Sequence, residues 1–273
     1  MPALDVNGTS IYCELAGSGP PLLMIHGLGS SGDDWAFQRD DFSRQHTLIL
    51  ADLRGSGRSA KPPGPYSIAS FAADLWALLD ALGFDGADIL GFSLGGAVAL
   101  EMALMRPGRA PRLVLCNALA NYRTDTPRKW FEAHAQLALI HLLGLRRTAR
   151  LIANRLFPQP DQAPKRQRVV DVLGANPKAA YLATIHALIG WSALERLPQL
   201  RSRTLIIAAE HDYTPLADKH DEARRIPDAR LVVVPGSRHG TPFDAIERFN
   251  ACVLEFLAER PAAAVHQASV APA

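Results

Sequence analysis

Short runs of apolar residues recur along the chain, and most are followed by a turn and then by a helical pattern. The runs that predict buried strands are residues 22–25, 47–51, 87–90, 112–115, 204–208 and 230–234. Most end in Gly, Asp, Asn or His, and residues 75–82 and 97–105 have helical spacing. This alternation is typical of a mostly parallel sheet with helices on both faces. The sheet is expected to begin with an antiparallel pair, because Asn7-Gly8 between two short runs predicts a type I′ hairpin turn.

The alternation stops between residues 121 and 198, where no strand signal is evident. Prolines separate four helical stretches there, at 127–143, 146–156, 162–173 and 177–191. A helical insertion of this length between two strands predicts a cap. The expected organisation is therefore a core at 1–120 and 199–260, a helical cap at 121–198, and a flexible tail at 261–273.

Composition narrows the classes of protein that the chain can belong to. Apolar residues make up 48% of the 273 residues and charged residues 21%, which is typical of a globular protein. The net charge of +2 argues against nucleic-acid or membrane-surface partners. The first residues predict no signal peptide, no apolar run has the length of a membrane span, and the three cysteines are far apart, so a reduced, cytoplasmic protein is expected.

A serine lies in the turn after the third of these runs. Gly91-Phe92-Ser93-Leu94-Gly95-Gly96 has the pattern G-x-S-x-G between a predicted strand and a predicted helix. A nucleophilic serine needs such a tight turn to stand clear of the sheet, and the turn brings the positions two before and two after it together, which favours glycine there. Ser93 is therefore the candidate nucleophile. The pattern lacks the lysine of a phosphate-binding loop.

An acid and a base follow two later strands of the predicted sheet. Asp212 comes after run 204–208 and His239 after run 230–234, so both should lie at the same sheet edge as Ser93. His239 is predicted to take the serine proton, and Asp212 to orient the imidazole. The neighbouring His211 is expected to point away, and Asp218 and Asp221 to belong to the next helix.

Two backbone N–H groups are predicted to bind the oxyanion that forms when the serine attacks a carbonyl. One belongs to Leu94, directly after the nucleophile, and the other to Leu28, in the loop after the first parallel strand. His26 in the same loop is expected to brace it by hydrogen bonds.

These motifs together resemble the α/β-hydrolase family. The matching stretches are 26–29, 52–59 and 91–96 with Asp212 and His239, and the resemblance covers about residues 4–258. Within the family the chain is similar to 3-oxoadipate enol-lactonases and related carboxylesterases, although Leu94 stands where Met is common and His26-Gly27 where His-Ser is frequent. The resemblance implies the α/β-hydrolase fold, with an eight-stranded, mostly parallel sheet, a helical cap and no cofactor. No metal site is predicted.

The function predicted from these residues is hydrolysis of a small carboxylic ester or lactone through an acyl-enzyme. Ser93 excludes the relatives of this fold that use an aspartate nucleophile. A thioesterase, an acyltransferase or a carbon–carbon bond hydrolase on the same residues remains open, as does a ligand receptor with slow turnover.

Three residues are candidates for binding the substrate. Residues 121–198 contain 12 Lys and Arg against 5 Asp and Glu. This positive charge could attract a carboxylate-bearing substrate, or the charged residues could simply form a solvated helical face. Arg123 is the candidate for a substrate carboxylate. Trp130 and Trp191 are candidates for the pocket wall, although aromatic residues in a cap more often form its packing core.

Overall fold

Seven strands form the central sheet in the computed structural model, which describes residues 3–259. The strands of the chain are β1 (Leu4–Val6), β2 (Thr9–Ile11), β3 (Cys13–Ala16), β4 (Pro21–Ile25), β5 (Thr47–Ala51), β6 (Asp88–Phe92), β7 (Arg112–Cys116), β8 (Arg203–Ala209) and β9 (Ala229–Val234). The order in the central sheet is β3-β5-β4-β6-β7-β8-β9. Only β3 is antiparallel to its neighbour, so the mostly parallel sheet is confirmed.

The expectation of eight strands in one sheet is wrong for the described residues. Strands β1 and β2 pair with each other, Leu4 opposite Ile11, and form a separate two-stranded ladder. Asn7 and Gly8 have φ of 46° and 70°, as a type I′ turn requires, which confirms the hairpin. The turn folds β1 back onto β2, and only after Tyr12 does the chain join the sheet, where Cys13 pairs with Ala51.

The parallel strands β4 to β8 are buried on both faces, which explains why they consist of continuous apolar runs. Within β4, Leu23 and Ile25 belong to one core, whereas Leu22 and Met24 belong to the other, as the twofold alternation of a strand requires. Each core is completed by helices packed against that face of the sheet.

Ten α-helices lie within the described residues. They are α1 (Arg39–Ser43), α2 (Ile68–Ala81), α3 (Leu94–Met105), α4 (Pro127–Leu143), α5 (Leu145–Leu156), α6 (Ala163–Gly174), α7 (Lys178–Leu188), α8 (Leu216–Arg225), α9 (Thr241–Asp244) and α10 (Ile246–Ala258). Helices α2 and α3 pack on the face of Leu23, and α1 and α10 on the face of Met24. None of the helices between residues 3 and 259 is both long and apolar enough to cross a bilayer.

Helices α4–α7, here called the cap helices, lie between β7 and β8. Helix α4 begins at Pro127 because the hydroxyl of Thr126 accepts a hydrogen bond from the N–H of Lys129, and proline suits the first helical turn. The cap helices have a small core of their own, against which Leu28 of the loop after β4 packs. They therefore lie next to the predicted oxyanion loop. The predicted tail at 261–273 is outside the described residues.

Candidate active site

Ser93 occupies the sharp turn between β6 and α3. Its backbone has φ of 55° and ψ of −118°, a conformation that L-residues rarely adopt. A Cβ atom on Gly91 would lie 2.2 Å from the carbonyl oxygen of Gly95, and one on Gly95 would lie 2.2 Å from that of Ile25. These contacts explain why both positions flanking the serine are glycine.

His239 lies between Ser93 and Asp212 and makes hydrogen-bonding contacts with both. Its Nε2 is 2.9 Å from Ser93 Oγ, and its Nδ1 is 2.8 Å from Asp212 Oδ1. The three residues follow β6, β8 and β9, whose carboxyl ends meet at one edge of the sheet. An imidazole placed in this way can accept a proton from the serine hydroxyl while the carboxylate orients it.

The second oxygen of the Asp212 carboxylate has two further partners. Oδ2 accepts hydrogen bonds from the Thr214 hydroxyl and the Lys219 ammonium, each at 2.5 Å. Burial alone would raise the pKa of Asp212, but the hydrogen bonds and charges of His239 and Lys219 hold it well below its usual range. The Asp212 carboxyl group is therefore ionised.

Asn117 ties together the loops that carry the acid and the base. This residue follows β7, is fully buried, and has φ of 48°, which asparagine tolerates better than most residues. Its Nδ2 donates to the carbonyl oxygen of His239 and to Thr241 Oγ1, both at 2.7 Å, and its Oδ1 accepts from the N–H of Ala209 at 2.8 Å. The amide thus fixes the end of β8 and the loop after β9 relative to each other.

Tyr213 contacts the same imidazole nitrogen as Ser93. Its hydroxyl is 2.9 Å from His239 Nε2, and the two rings are 4.2 Å apart between centroids. Desolvation, followed by the charge of Asp212, raises the pKa of the phenol, which therefore stays protonated. The ring lines a cavity of about 170 Å³ together with Arg155, Arg238 and His239. Arg155 lies over this ring, with Cζ 5.1 Å from the centroid.

The backbone N–H groups of Leu28 and Leu94 were predicted to bind an oxyanion. Within residues 3–259, neither group donates a hydrogen bond. The loop of Leu28 is braced by His26, whose Nε2 accepts from the N–H of Leu53 at 3.0 Å and whose Nδ1 lies 2.7 Å from the carbonyl oxygen of Gly27. This bracing is the role expected for His26.

The three candidate substrate-binding residues contact partners other than Ser93, Asp212 and His239. Arg123 pairs with Glu195 at 2.5 Å on the surface. Trp130 is 52% exposed and stacks on His134 of its own helix. The indole N–H of Trp191 donates to Glu101 at 3.0 Å. The structure does not join any of the three to Ser93, because these local partners hold them.

Sequence reasoning missed Asn117, Tyr213 and Lys219. Asn117 and Tyr213 stand where a polar residue follows a strand, and this position was a usable signal because the carboxyl ends of parallel strands meet. Lys219 carried no such signal, since it lies among the charged residues of α8, a pattern typical of a solvated helix face.

Comparison with known proteins agrees with this architecture. The model of the alpha/beta hydrolase fold matches residues 20–245. The chain belongs to this family. A full-length relative, the putative carbamate hydrolase RutD of Azorhizobium caulinodans (strain ATCC 43989 / DSM 5975 / JCM 20966 / LMG 6465 / NBRC 14845 / NCIMB 13405 / ORS 571), is 31% identical over 95% of this chain and 99% of that protein.

Two solved structures of proteins with named activities are similar in fold to this chain. The enol-lactonase from Burkholderia xenovorans LB400 superposes with a TM-score of 0.87 at 26% identity, over 94% of this chain and all of that one. Est816, described as an N-acyl homoserine lactone degrading enzyme, gives a TM-score of 0.81 at 27% identity, over 93% of this chain and all of that one. The resemblance to α/β-hydrolases and to the enol-lactonase group is thus confirmed.

Proposed function

We propose that this family member is a serine hydrolase that cleaves a small carboxylic ester or lactone through an acyl-enzyme. The observation that carries the proposal is the position of His239, which links Ser93 Oγ at 2.9 Å to Asp212 Oδ1 at 2.8 Å. A neutral imidazole in this position donates from Nδ1 to the carboxylate and accepts the serine proton at Nε2.

The reaction then proceeds in two halves. As Ser93 Oγ bonds to the substrate carbonyl carbon, its proton passes to His239, and the N–H groups of Leu28 and Leu94 stabilise the negative oxygen. Collapse of this intermediate breaks the bond to the leaving oxygen, which takes the proton from His239. Water then attacks the acyl-enzyme by the same route, and Ser93 is released with its proton restored.

Tyr213 shares hydrogen-bonding partners with the proposed nucleophile. The Nε2 atom of a neutral imidazole has one lone pair, and the hydroxyls of Ser93 and Tyr213 both lie 2.9 Å from it. The leaving oxygen must also reach Nε2 to take the proton. The phenol can therefore compete with Ser93 for this lone pair, or donate instead to the Ser93 hydroxyl, with which it also hydrogen-bonds.

Carbamate hydrolysis is a second candidate function. The RutD relative, a putative carbamate hydrolase, aligns with nearly the whole chain at 31% identity. Attack of the same serine on a carbamate carbonyl would form the same kind of oxyanion. The residues of the candidate site therefore suit an ester or a carbamate equally well. A thioesterase, an acyltransferase or a carbon–carbon bond hydrolase would keep the acyl-enzyme and change the bond or the acceptor, whereas a slow-turnover receptor would keep only the pocket.

The test compares the wild type with Ser93→Ala on p-nitrophenyl acetate and butyrate, a panel of small lactones, a carbamate ester and a thioester. Ser18→Ala, a change on the exposed turn before β4, is the matched control. We expect the control to match the wild type and Ser93→Ala to lose about 10³-fold or more in kcat/KM.

Labelling with a fluorophosphonate separates the remaining outcomes. Labelling that requires Ser93, without multiple turnover on any substrate, would favour a receptor. Turnover that is unchanged in Ser93→Ala would refute the proposed nucleophile. A cytoplasmic location and a small-molecule partner, with neither nucleic acid nor membrane, stay predictions.

A further inference from the structure

A lysine is buried beside the proposed acid. Lys219 lies on α8, and its side chain is fully inaccessible to water, as is all but 1% of the Asp212 side chain. A buried ammonium is costly unless it is paired and hydrogen-bonded. Its recorded partner within residues 3–259 is Asp212 Oδ2, at 2.5 Å.

The two oxygens of Asp212 therefore face two nitrogen bases of different character. Oδ1 faces the imidazole of His239, which takes the serine proton in the proposed reaction, and Oδ2 faces the ammonium of Lys219. The ammonium already balances the carboxylate. A carboxylate that is balanced in this way attracts the imidazolium less than an unpaired one does, because the two cations repel each other across it.

We propose that Lys219 is a positioning residue: it fixes the Asp212 carboxylate and weakens its hold on protonated His239, which keeps the imidazole a neutral base at mildly acidic pH. This inference rests on the proposed function, because it concerns how that reaction depends on pH. The Thr214 hydroxyl also bonds Oδ2 and would hold the carboxylate without Lys219, so the charge of Lys219 is its separable contribution.

Other ionisable groups surround Asp212, Lys219 and His239. Their charges must stay the same when the variants are compared. These groups are Tyr213, Glu222, Cys116, Tyr122, Asp244, His211, Arg155 and Arg238. Glu222 matters most among them, because burial raises its pKa to about 7 and it lies three residues from Lys219 on α8. Its Oε1 accepts from the N–H of Ala120 at 2.7 Å, and a glutamine oxygen would preserve that bond.

The variants separate the charge of Lys219 from its hydrogen bond. Lys219→Met removes both and keeps an unbranched apolar chain of similar length. Lys219→Gln removes the charge, and its amide can still donate to Asp212. Each variant is made in the wild-type and in the Glu222→Gln background, so that titration of Glu222 does not enter the comparison.

The first measurement is the pH dependence of kcat/KM for the best ester of the panel. Both variants are expected to move the midpoint of the acid limb upward by about one pH unit, because the imidazolium gains stability when the cation is removed. At pH 5.5 kcat/KM should fall about tenfold, whereas at pH 8 it should stay within about threefold of the wild type. A purely structural role would lower kcat/KM equally at every pH, and that result would overturn the proposal.

The second measurement does not need turnover. The midpoint of the imidazole titration of His239 is followed by nuclear magnetic resonance in the wild type and in both variants, with His239→Asn used to assign the signal. An upward shift in both variants supports the role of Lys219 even if no ester is hydrolysed, in which case the proposed substrate class alone is wrong. An unmoved or lowered midpoint in Lys219→Gln, the variant that keeps the hydrogen bond, overturns the inference.

Discussion

Replacing Asn117 by aspartate tests whether one buried amide holds the two loops of the candidate site. The change is isosteric, and aspartate tolerates the left-handed backbone at this position about as well as asparagine does. The oxygen facing the N–H of Ala209 is kept. The other atom, an NH₂ that donates to His239 O and Thr241 Oγ1 at 2.7 Å, becomes a second carboxylate oxygen.

The loss of stability expected for Asn117→Asp follows from these contacts. Two hydrogen bonds from a buried donor are lost, and each unsatisfied partner costs about 1–3 kcal/mol. The Thr241 hydroxyl can turn to donate to the new oxygen, but the carbonyl of His239 has no proton to offer and repels it. We expect Asn117→Asp to lower the free energy of unfolding by about 3–5 kcal/mol at pH 8, a large part of the stability of a typical domain.

The destabilisation should depend on pH in a defined direction. Burial raises the folded-state pKa of the new carboxyl above its unfolded value. A group whose pKa is raised on folding stabilises the protein most below the unfolded pKa, and this contribution is lost as pH rises through the folded pKa. When protonated, the carboxyl can again donate to His239 O. The loss in Asn117→Asp relative to the wild type should therefore be smaller at pH 5 than at pH 8.

Urea unfolding followed by tryptophan fluorescence measures both effects, since Trp35 and Trp76 are fully buried. Asn121→Asp is the control, because the oxygen of this residue accepts from the N–H of Arg123 near the surface and a carboxylate preserves that bond. A loss below about 1 kcal/mol at pH 8 would refute the reasoning, as would a larger loss at pH 5.

Two further predictions concern the nucleophile turn and the phenol beside His239. Gly95→Ala should lower the melting temperature by roughly 6–10 °C, because the new Cβ would meet the carbonyl oxygen of Ile25, which belongs to a central strand. Gly174→Ala, whose Cβ would meet the flexible side chain of an arginine, should change the melting temperature by less than half as much in a thermal melt. Tyr213→Phe should raise the rate of fluorophosphonate labelling about two- to tenfold, because the competitor for His239 is removed, and a tenfold fall would contradict that competition.

The sequence predicts the strands because strands depend on local signals. It also predicts that Ser93, Asp212 and His239 lie at one edge of the sheet, since each follows a strand. Apolar runs set the strands, and in a parallel sheet the residues that follow the strands meet at one edge. Helix α4 begins and ends at the predicted residues because Thr126, Pro127 and Gly144 mark its ends.

The remaining features depend on contacts between residues far apart in the chain. Asn117 bonds residues 92 and 122 positions later, and no local pattern specifies such a pair. Lys219 lies in a helix rich in charge, so burial of that one residue can be seen only once α8 is placed beside Asp212. The separate β1–β2 ladder depends on where the chain joins the sheet, which the hairpin turn does not determine.

The residues of the candidate site are held by several elements of the fold, whereas helix α4 is loosely packed. Asp212 and His239 lie on loops, yet Lys219 and Asn117 hold them from other elements. Helix α4 is different, since it buries only Ile140 among its 17 residues. Substitutions on α4 are therefore expected to disturb little packing and to leave the contacts of Asp212 and His239 in place.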